Sequence, residues 1–224
     1  MLYLVPTPIG NLEDMTFRAI RVLKEVSLVL AEDTRTSKRL LDYYEIKTPL
    51  RSFHAHNEHA IVSRIVDEMA NGADFALISD AGTPGISDPG FLLTRECVRR
   101  DIKVECLPGA TAFVPALAAS GLPSNWFHFE GFLPHKKGRQ TRCKYLAELE
   151  CTFILYESPH RLMKCLEELK LYCGEQRVAA VCREISKKHE SIITRPVNEL
   201  IAYYQQHEDE IRGEIVIVVA GKPD

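Results

Sequence analysis

The residues best suited to chemistry lie together in one short segment, residues 79–90. This segment contains two aspartates, three glycines and two prolines, which is more than a simple turn needs. Glycines let the backbone approach a ligand closely, and prolines stiffen the loop around it. The carboxylates of Asp80 and Asp88 can accept hydrogen bonds from hydroxyls and amines but would repel a phosphate. We expect a site for a neutral or cationic group; the alternative is a surface loop in which Ser87 or Asp88 caps a helix.

A second loop, residues 7–12, follows the first apolar run directly. It occupies the place of a glycine-rich nucleotide-binding loop, but it is not G-x-G-x-x-G, and the chain has no Gly-Lys-Ser/Thr of a Walker loop. A phosphate cradle is therefore not expected. The loop either contacts a ligand or is a strand-to-helix turn capped by Asn11 or Asp14.

Metal and disulfide chemistry receive less support from the sequence. His54, His56 and His59 form an H-x-H-x-x-H pattern, but no cysteine lies nearby, so a polar loop is expected and no metal is predicted. The seven cysteines are odd in number and never spaced as C-x-x-C, which favours reduced thiols in a cytoplasmic protein.

Strands and helices must position these loops, and the first half of the chain alternates between them. Apolar runs near 2–6, 28–31, 50–54, 75–78 and 104–107 predict strands, and amphipathic segments between them predict helices. Such alternation is typical of a mainly parallel sheet with helices on both faces. The segment 79–90 then lies at the carboxyl end of a strand, which is the usual place for a site in an open α/β sheet.

The second half of the chain predicts a mixed α/β sheet. Strands are expected near 127–132, 152–156, 178–182, 191–194 and 215–219. The gap between 182 and 191 is too short for a crossover helix, so that pair of strands should be antiparallel. Residues 121–125 form the best candidate linker, which gives two α/β domains, 1–120 and 121–224.

Composition excludes some classes of protein. With 46% hydrophobic and 26% charged residues among 224, the chain is an ordinary globular protein in composition, and no apolar stretch is long enough to span a membrane. The net charge of -3 gives no global basic signature, so nucleic-acid contacts must come from local patches.

A set of motifs, in order over nearly the whole chain, resembles the ribosomal RNA small-subunit methyltransferase I family of 2′-O-ribose cytidine methyltransferases, which have the tetrapyrrole-methylase fold. The motifs that carry this resemblance are Pro6-Thr7-Pro8-Ile9-Gly10-Asn11-Leu12, Ala31-Glu32-Asp33-Thr34-Arg35, Ser79-Asp80-Ala81-Gly82-Thr83-Pro84, Ser87-Asp88-Pro89-Gly90, Leu107-Pro108-Gly109, Gly121-Leu122-Pro123, Glu130-Gly131-Phe132-Leu133-Pro134 and Tyr156-Glu157-Ser158-Pro159-His160-Arg161.

The resemblance implies S-adenosylmethionine (SAM) as cofactor, bound between two α/β domains, and a homodimer. It implies a cytidine in the decoding region of small-subunit (16S) ribosomal RNA, or the 30S subunit, as substrate. The cofactor contacts that it implies are Ile9, Asp80, Ala81, Gly82, Thr83, Ser87, Asp88, Thr111, Ala112, Tyr156, Glu157 and Gly213. The RNA contacts that we expect are Arg35, Lys136, Lys137, Arg139, Arg142, Arg161 and Lys188.

Three points remain open at the level of sequence. The basic run at 136–144 is either a solvated helix start or a phosphate-binding patch. Residues 183–190 form either an exposed turn or a turn that brings Lys187 and Lys188 to the RNA, where burial could lower a lysine pKa and let it assist proton loss. The general base is not identified; Glu184, Lys187 and Asp33 are the candidates.

Two other functions remain as alternatives: methylation of a small tetrapyrrole-like metabolite, which the same fold supports, and a SAM- or RNA-binding assembly module without catalysis. Trp126 and Phe127 are expected in the core rather than in a base-stacking surface.

Overall fold

The computed structural model describes residues 1–223, and the chain divides into two compact units. The first unit is Met1–Thr111, and the second begins at Ala112. The sequence placed the boundary between residues 120 and 121 instead. The difference is one short helix, Phe113–Ala119, which packs against the last strand of the second unit and therefore lies with it.

The first unit alternates strands and helices throughout. In chain order these are β1 (Leu2–Leu4), α1 (Phe17–Glu25), β2 (Leu28–Ala31), α2 (Thr34–Tyr43), β3 (Leu50–Ser52), α3 (Glu58–Ala70), β4 (Phe75–Ile78), α4 (Phe91–Arg99) and β5 (Val104–Cys106). The five strands form one sheet in the order β3-β2-β4-β1-β5, and every pair is parallel. The predicted parallel sheet is confirmed.

Helices cover both faces of this sheet. One apolar cluster joins α1 and α2 to the sheet through Leu23 and Leu41, and a second joins α3 and α4 to the other face through Ile65 and Leu93. Because all strands run in one direction, their carboxyl ends meet at one edge. At that edge β1 and β4 are neighbours, so the loops that follow them emerge side by side.

The second unit has a mixed sheet. Its elements are α5 (Phe113–Ala119), β6 (Phe127–Phe132), α6 (Arg139–Ala147), β7 (Thr152–Glu157), α7 (Leu162–Cys173), β8 (Val178–Arg183), β9 (Ser191–Pro196), α8 (Val197–Gln206) and β10 (Ile215–Val219). The strand order is β6-β7-β10-β8-β9; β6 and β7 are parallel, and the other pairs are antiparallel. The predicted antiparallel pairing of β8 with β9 is confirmed.

The main core of this unit lies between the sheet and helices α6, α7 and α8, where Leu146, Leu166 and Tyr204 are buried. On the opposite face, α5 lies over the centre of the sheet, with the Cys182 thiol 3.8 Å from the Ala116 carbonyl oxygen. Helix α5 has seven residues and leaves the edge strand β6 partly uncovered.

This arrangement overturns one expectation from the sequence. Trp126 is 61% exposed and Phe127 is 39% exposed, so neither side chain lies in the core. Trp126 directly precedes β6 and Phe127 begins it, and this edge strand has a neighbouring strand on one side only.

Within residues 1–223, none of the helices has the length and apolar character needed to cross a bilayer.

Candidate active site

Three loops of the first unit are joined at the carboxyl edge of its sheet. Thr7, after β1, and Gly82, after β4, exchange two backbone hydrogen bonds of 2.9 Å each. The buried Thr7 hydroxyl donates to the Ser79 carbonyl oxygen at 3.2 Å, and the Thr83 hydroxyl donates to the Ala110 carbonyl oxygen at 3.0 Å. The loops after the first and fourth strands therefore meet.

Gly82 is required at this junction by its backbone. Its φ is +82°, a conformation that strongly favours glycine, and a Cβ there would lie 3.6 Å from the side chain of Ile9 and 4.0 Å from Thr111. Ile9 and Thr111, two of the predicted cofactor residues, therefore lie beside Gly82. Ser87, a third, is exposed and has φ +63°, which is uncommon for a residue with a side chain.

Carboxylates gather at the same edge. Asp80 and Asp88 from the loop after β4 interact electrostatically with Glu32, which directly follows β2. Partial burial and the charges of Glu32 and Asp80 raise the pKa of Asp88 to about 6, against a usual value of 3.8. Burial and the charge of Asp80 likewise raise the pKa of Glu32. This edge therefore holds concentrated negative charge that would be stabilised by a cation or by hydrogen-bond donors.

The sequence did not single out Glu32, although its place directly after a buried strand was a usable signal. His54 also belongs to this neighbourhood, since its charge interacts with Glu32. The Nδ1 atom of His54 is buried and has no hydrogen-bond partner among the described residues. Such an atom is costly unless a ligand or water satisfies it. No group of histidines, cysteines, aspartates and glutamates within residues 1–223 has the arrangement needed to hold a metal ion.

Asp33 and Arg35 have a local structural role. The Asp33 carboxylate accepts the backbone N–H of Arg35 at 2.8 Å as the N-cap of α2 and pairs with the Arg35 guanidinium at 2.9 Å. Hydrogen bonds from Arg35 lower the pKa of Asp33 to about 2, so Asp33 is a weak base. The backbone N–H of Asp33 donates to the Asp80 carboxylate at 3.2 Å, which links the cap to the acidic group. Arg35 remains largely exposed.

In the second unit, Glu157 is committed to structure. Its carboxylate is 1% exposed and accepts from the Arg139 guanidinium at 3.1 Å, from Arg161 at 2.8 Å and from the Ser158 N–H at 2.9 Å. Three donors occupy most of the acceptor capacity of this buried carboxylate. Glu157 is therefore the centre of a buried ion network, and the cofactor contact that the resemblance implies for it stays a prediction.

The same network corrects the assignment of Arg139 to the RNA surface. Its side chain is 3% exposed and also binds Glu168 at 2.7 Å. A guanidinium held by two carboxylates in the interior does not present itself to a phosphate. Arg161, one quarter exposed, donates to Glu157 and to the His135 ring, so it too is largely occupied within the protein.

The remaining members of the basic run lie at the surface. Lys136 and Lys137 are exposed, and within residues 1–223 neither has an ion-pair partner. Arg142 pairs with Glu130 and lies over the ring of Tyr145 at 4.8 Å. The phosphate-patch hypothesis therefore rests on Lys136 and Lys137, with Lys188 exposed elsewhere on the unit.

The turn after β8 contains a charged triad. The Lys187 ammonium lies 2.8 Å from Glu184 and 3.0 Å from Glu214, a residue that the sequence did not single out. Burial lowers the pKa of Lys187, but hydrogen bonds to the two carboxylates outweigh it and raise the pKa above its ordinary value. The expectation of a lysine with a lowered pKa is wrong: Lys187 is a cation. Glu184 is correspondingly ionised: partial burial raises its pKa, but the hydrogen bonds from Lys187 and the Glu214 N–H, with the charges of Lys187 and Arg183, together outweigh burial and lower the pKa.

Backbone geometry supports a special role for this turn. Glu184 and Ser186 have φ values of +54° and +66°, and such conformations gather at functional sites and in tight turns. Gly213 has φ +80°, and a Cβ there would fall 2.4 Å from the Glu184 carboxylate. Gly213 thus allows the close approach of Glu184.

Two further predicted cofactor residues lie elsewhere in the second unit. Tyr156, near the end of β7, packs against Phe129 and Phe132, and Ala112 is the N-cap of α5.

The chain was compared with known proteins. Residues 1–201 match the family model of tetrapyrrole (corrin/porphyrin) methylases. The ribosomal RNA small subunit methyltransferase I of Pseudomonas aeruginosa is 48% identical over 98% of this chain and 78% of its own length. The protein of the same name from Haemophilus influenzae is 45% identical over the whole of this chain and 79% of its own length.

Solved structures agree on the fold. Diphthine synthase superposes with a TM-score of 0.75 at 14% identity, over 99% of this chain and 90% of that one. Uroporphyrin-III C-methyltransferase from Thermus thermophilus, complexed with S-adenosyl homocysteine, superposes with a TM-score of 0.66 at 20% identity, over 98% and 96% of the two chains. The identity and coverage of the bacterial relatives show that the chain belongs to the ribosomal RNA small subunit methyltransferase I family, within the tetrapyrrole methylases.

Proposed function

We propose that this protein uses SAM to methylate the ribose 2′-oxygen of a cytidine in the decoding region of small-subunit ribosomal RNA. The observation that carries the proposal is the identity of 44–48% to relatives of that name over nearly the entire chain. The proposal includes a cytoplasmic location and a homodimer.

The first unit fits a cofactor of this chemistry. SAM carries an ammonium group, ribose hydroxyls and a positively charged sulfonium, and Glu32, Asp80 and Asp88 offer acceptors and negative charge. Burial and mutual charge repulsion raise the pKa values of Glu32 and Asp88, and a cationic ligand would stabilise their ionised forms. Ile9 and the backbone around Gly82 would supply apolar contact and close approach. Bound there, SAM would supply a methyl group made electrophilic by its sulfonium.

The protein's own part in such a reaction is alignment. Holding an RNA hydroxyl in line with a methyl donor can lower the barrier by about 7–11 kcal/mol in good cases. Positive charge disappears during transfer, so the site must not stabilise the sulfonium too strongly before reaction. Asp88, with a pKa of about 6, is protonated in part near neutral pH, which moderates the negative charge of the acidic group.

The turn 184–187 is our candidate for handling the RNA substrate. Lys187 is protonated and therefore suited to holding a phosphate rather than accepting a proton. Glu184 is ionised and can accept a hydrogen bond from a 2′-hydroxyl, but the interactions that lower its pKa also make it a weaker base. Lys136 and Lys137 extend the proposed RNA contact, while Arg139 is withdrawn from it.

One experiment separates this proposal from methylation of a small metabolite and from a non-catalytic module. Purified protein is incubated with SAM labelled on the methyl group and with isolated small subunits, naked ribosomal RNA or a tetrapyrrole mixture. We expect label in ribosomal RNA. Label only in the tetrapyrrole fraction, or SAM binding without transfer to any acceptor, would overturn it.

A further inference from the structure

An irregularity in β6 brings three phenylalanines onto one face of the second sheet. Phe127 and Phe129 pair with Thr152 and Ile154 of β7, two residues apart, as expected for a regular strand. The register then shifts between Phe129 and Gly131, so that Phe132 pairs with Tyr156. Without this bulge, Phe132 would point to the opposite face, because side chains alternate along a strand.

These aromatic rings form a continuous and partly exposed surface. The Phe129 ring lies 4.5 Å from Phe113 and 5.2 Å from Tyr156, and the Phe132 ring lies 5.5 Å from Tyr156. Phe132 is 54% exposed and Phe127 is 39% exposed. We call Phe127, Phe129 and Phe132 the β6 aromatic face. These large rings are held in place by their neighbours and are still open to solvent. Exposed apolar surface of this kind indicates an interaction site rather than a requirement of folding.

Positive charge lies next along the chain. The strand ends at Phe132, and the loop that follows contains the exposed Lys136 and Lys137, for which residues 1–223 provide no ion-pair partner. The Arg139–Glu157 network holds this loop, since the Arg139 guanidinium also donates to the Pro134 carbonyl oxygen at 3.3 Å. The buried ion network therefore holds the backbone of the loop from which the two lysines extend.

We propose that the β6 aromatic face stacks unpaired bases of RNA while Lys136 and Lys137 contact the adjoining phosphates. Aromatic rings beside a basic surface are the combination that proteins use to bind single-stranded nucleic acid, because every base presents a π-face. The inference rests on the proposed function and names the part of the chain that would hold the RNA strand.

Charge favours RNA over a second copy of this chain as the occupant. In a two-fold symmetric contact the same patch meets itself. Such a contact centred on the β6 aromatic face would bring the Lys136 and Lys137 pairs of both copies close together with no acidic residue in the run 134–144 to compensate. An RNA backbone brings the opposite charge.

The test uses the full chain and a short, fluorescently labelled single-stranded RNA of mixed sequence, with its duplex form for comparison. Phe127→Ala and Phe132→Ala should each weaken single-strand binding by at least about fivefold. They should leave the salt dependence of binding unchanged, because stacking releases no counterions. Phe132→Trp should retain binding. Phe17→Ala and Leu171→Ala, which remove apolar side chains that are 93% and 72% exposed elsewhere on the protein, are the controls.

Two results would overturn the inference. One is single-strand affinity unchanged in both phenylalanine variants; the other is a change of molecular mass in light scattering for these variants, which would identify the face as a contact between copies. Methyl transfer to small subunits by the unaltered protein is measured in parallel. Normal transfer with unchanged variant affinities rejects the aromatic face alone, whereas absence of both RNA binding and methyl transfer in the unaltered protein rejects the proposed function as well.

Discussion

The ammonium of Lys187 lies 2.8 Å from the carboxylate of Glu184, within a turn where Glu184 has φ +54°. The pair keeps both groups ionised at neutral pH, Lys187 as a cation and Glu184 as an anion. This relationship divides the proposed roles in the turn: Lys187 can hold a phosphate, and Glu184 can accept a hydrogen bond from a 2′-hydroxyl.

Replacing Lys187 should therefore affect the methyl transfer step. We expect Lys187→Ala to lower the single-turnover rate on small subunits by at least about tenfold, some 1.4 kcal/mol of transition-state stabilisation, with SAM affinity near that of the unaltered protein. Lys187→Arg should keep most of the activity because the charge remains. Lys170→Ala, an exposed lysine of α7 outside the proposed RNA contacts, is the control. A Lys187→Ala rate within about twofold of normal would remove this turn from the mechanism.

Asp88 should make stability depend on pH. Its pKa is about 6 in the folded chain against 3.8 ordinarily, so between these values the folded state binds more protons, and the free energy of unfolding falls as pH rises. A shift of that size corresponds to about 3 kcal/mol, which solvent screening at a partly exposed group reduces to about 1–2 kcal/mol. Without cofactor, Asp88→Asn should be more stable than the unaltered protein above pH 6, and this gain should vanish near pH 4.

Urea unfolding at a series of pH values measures this difference. A stability gain for Asp88→Asn that is equal at pH 4 and pH 8 would mean that titration of Asp88 is not its source. The same variant should bind SAM more weakly, which separates its effect on stability from its effect on the site.

Asp80→Ala should weaken SAM binding more than it destabilises the fold. Asp80 is exposed and accepts one backbone N–H, from Asp33, so few native contacts are lost. A charge-assisted hydrogen bond to the cofactor is worth about 1.5–3 kcal/mol, or roughly tenfold to a hundredfold in affinity. Calorimetric titration with SAM tests this, with Asp42→Ala on the exposed side of α2 as control. Equal SAM affinity in Asp80→Ala and the unaltered protein would refute the role.

The two kinds of basic residue in the run 136–144 should behave differently. The double change Lys136→Ala with Lys137→Ala should make RNA binding less sensitive to salt, by roughly 0.7–0.9 in log–log slope for each lost phosphate contact. Arg139→Met should leave that slope unchanged. It should destabilise the fold by about 3–5 kcal/mol, because it removes a cationic partner of the buried Glu157 carboxylate. If the double lysine variant keeps the original slope, the run is a solvated helix start.

Substitutions of Tyr204 test how the core of the second unit contributes to stability. Its side chain is fully buried, and its hydroxyl has no hydrogen-bond partner within residues 1–223. Tyr204→Phe should therefore be neutral or stabilise the protein by up to about 1 kcal/mol, because it removes an unsatisfied buried group. Tyr204→Ala should cost about 3–5 kcal/mol through the cavity that it leaves. Denaturant unfolding distinguishes the two, and a loss above about 1 kcal/mol in Tyr204→Phe would point to a hydrogen bond through buried water.

Periodicity in the sequence was enough to predict the strands of the first sheet and their parallel direction. The strand Phe75–Ile78 is a buried apolar run that ends abruptly at a loop rich in glycine and proline, and both boundaries agree with the structure. Parallel strands deliver their loops to one edge, but Thr7 meets Gly82 because β1 and β4 are neighbours in the sheet, an order that periodicity does not give.

Side-chain partners could not be predicted in the same way. In the sequence, Arg139 has the pattern of a surface cation within a basic run. Its burial depends on Glu157 and Glu168, which lie 18 and 29 residues away along the chain. Lys187 depends similarly on Glu214, which is 27 residues distant. A pattern of residue types predicts faces of helices and strands, but ion pairs between distant elements arise only when the fold brings them together.

The most direct test of the central claim is the chemical position of the transferred methyl group. Small subunits are methylated with labelled SAM, and their RNA is extracted and hydrolysed with alkali. A 2′-O-methyl group blocks cleavage at its own nucleotide, so we predict label in an alkali-resistant dinucleotide that begins with cytidine. Label released in mononucleotides would place the methyl group on a base and contradict the proposed 2′-O-methylation.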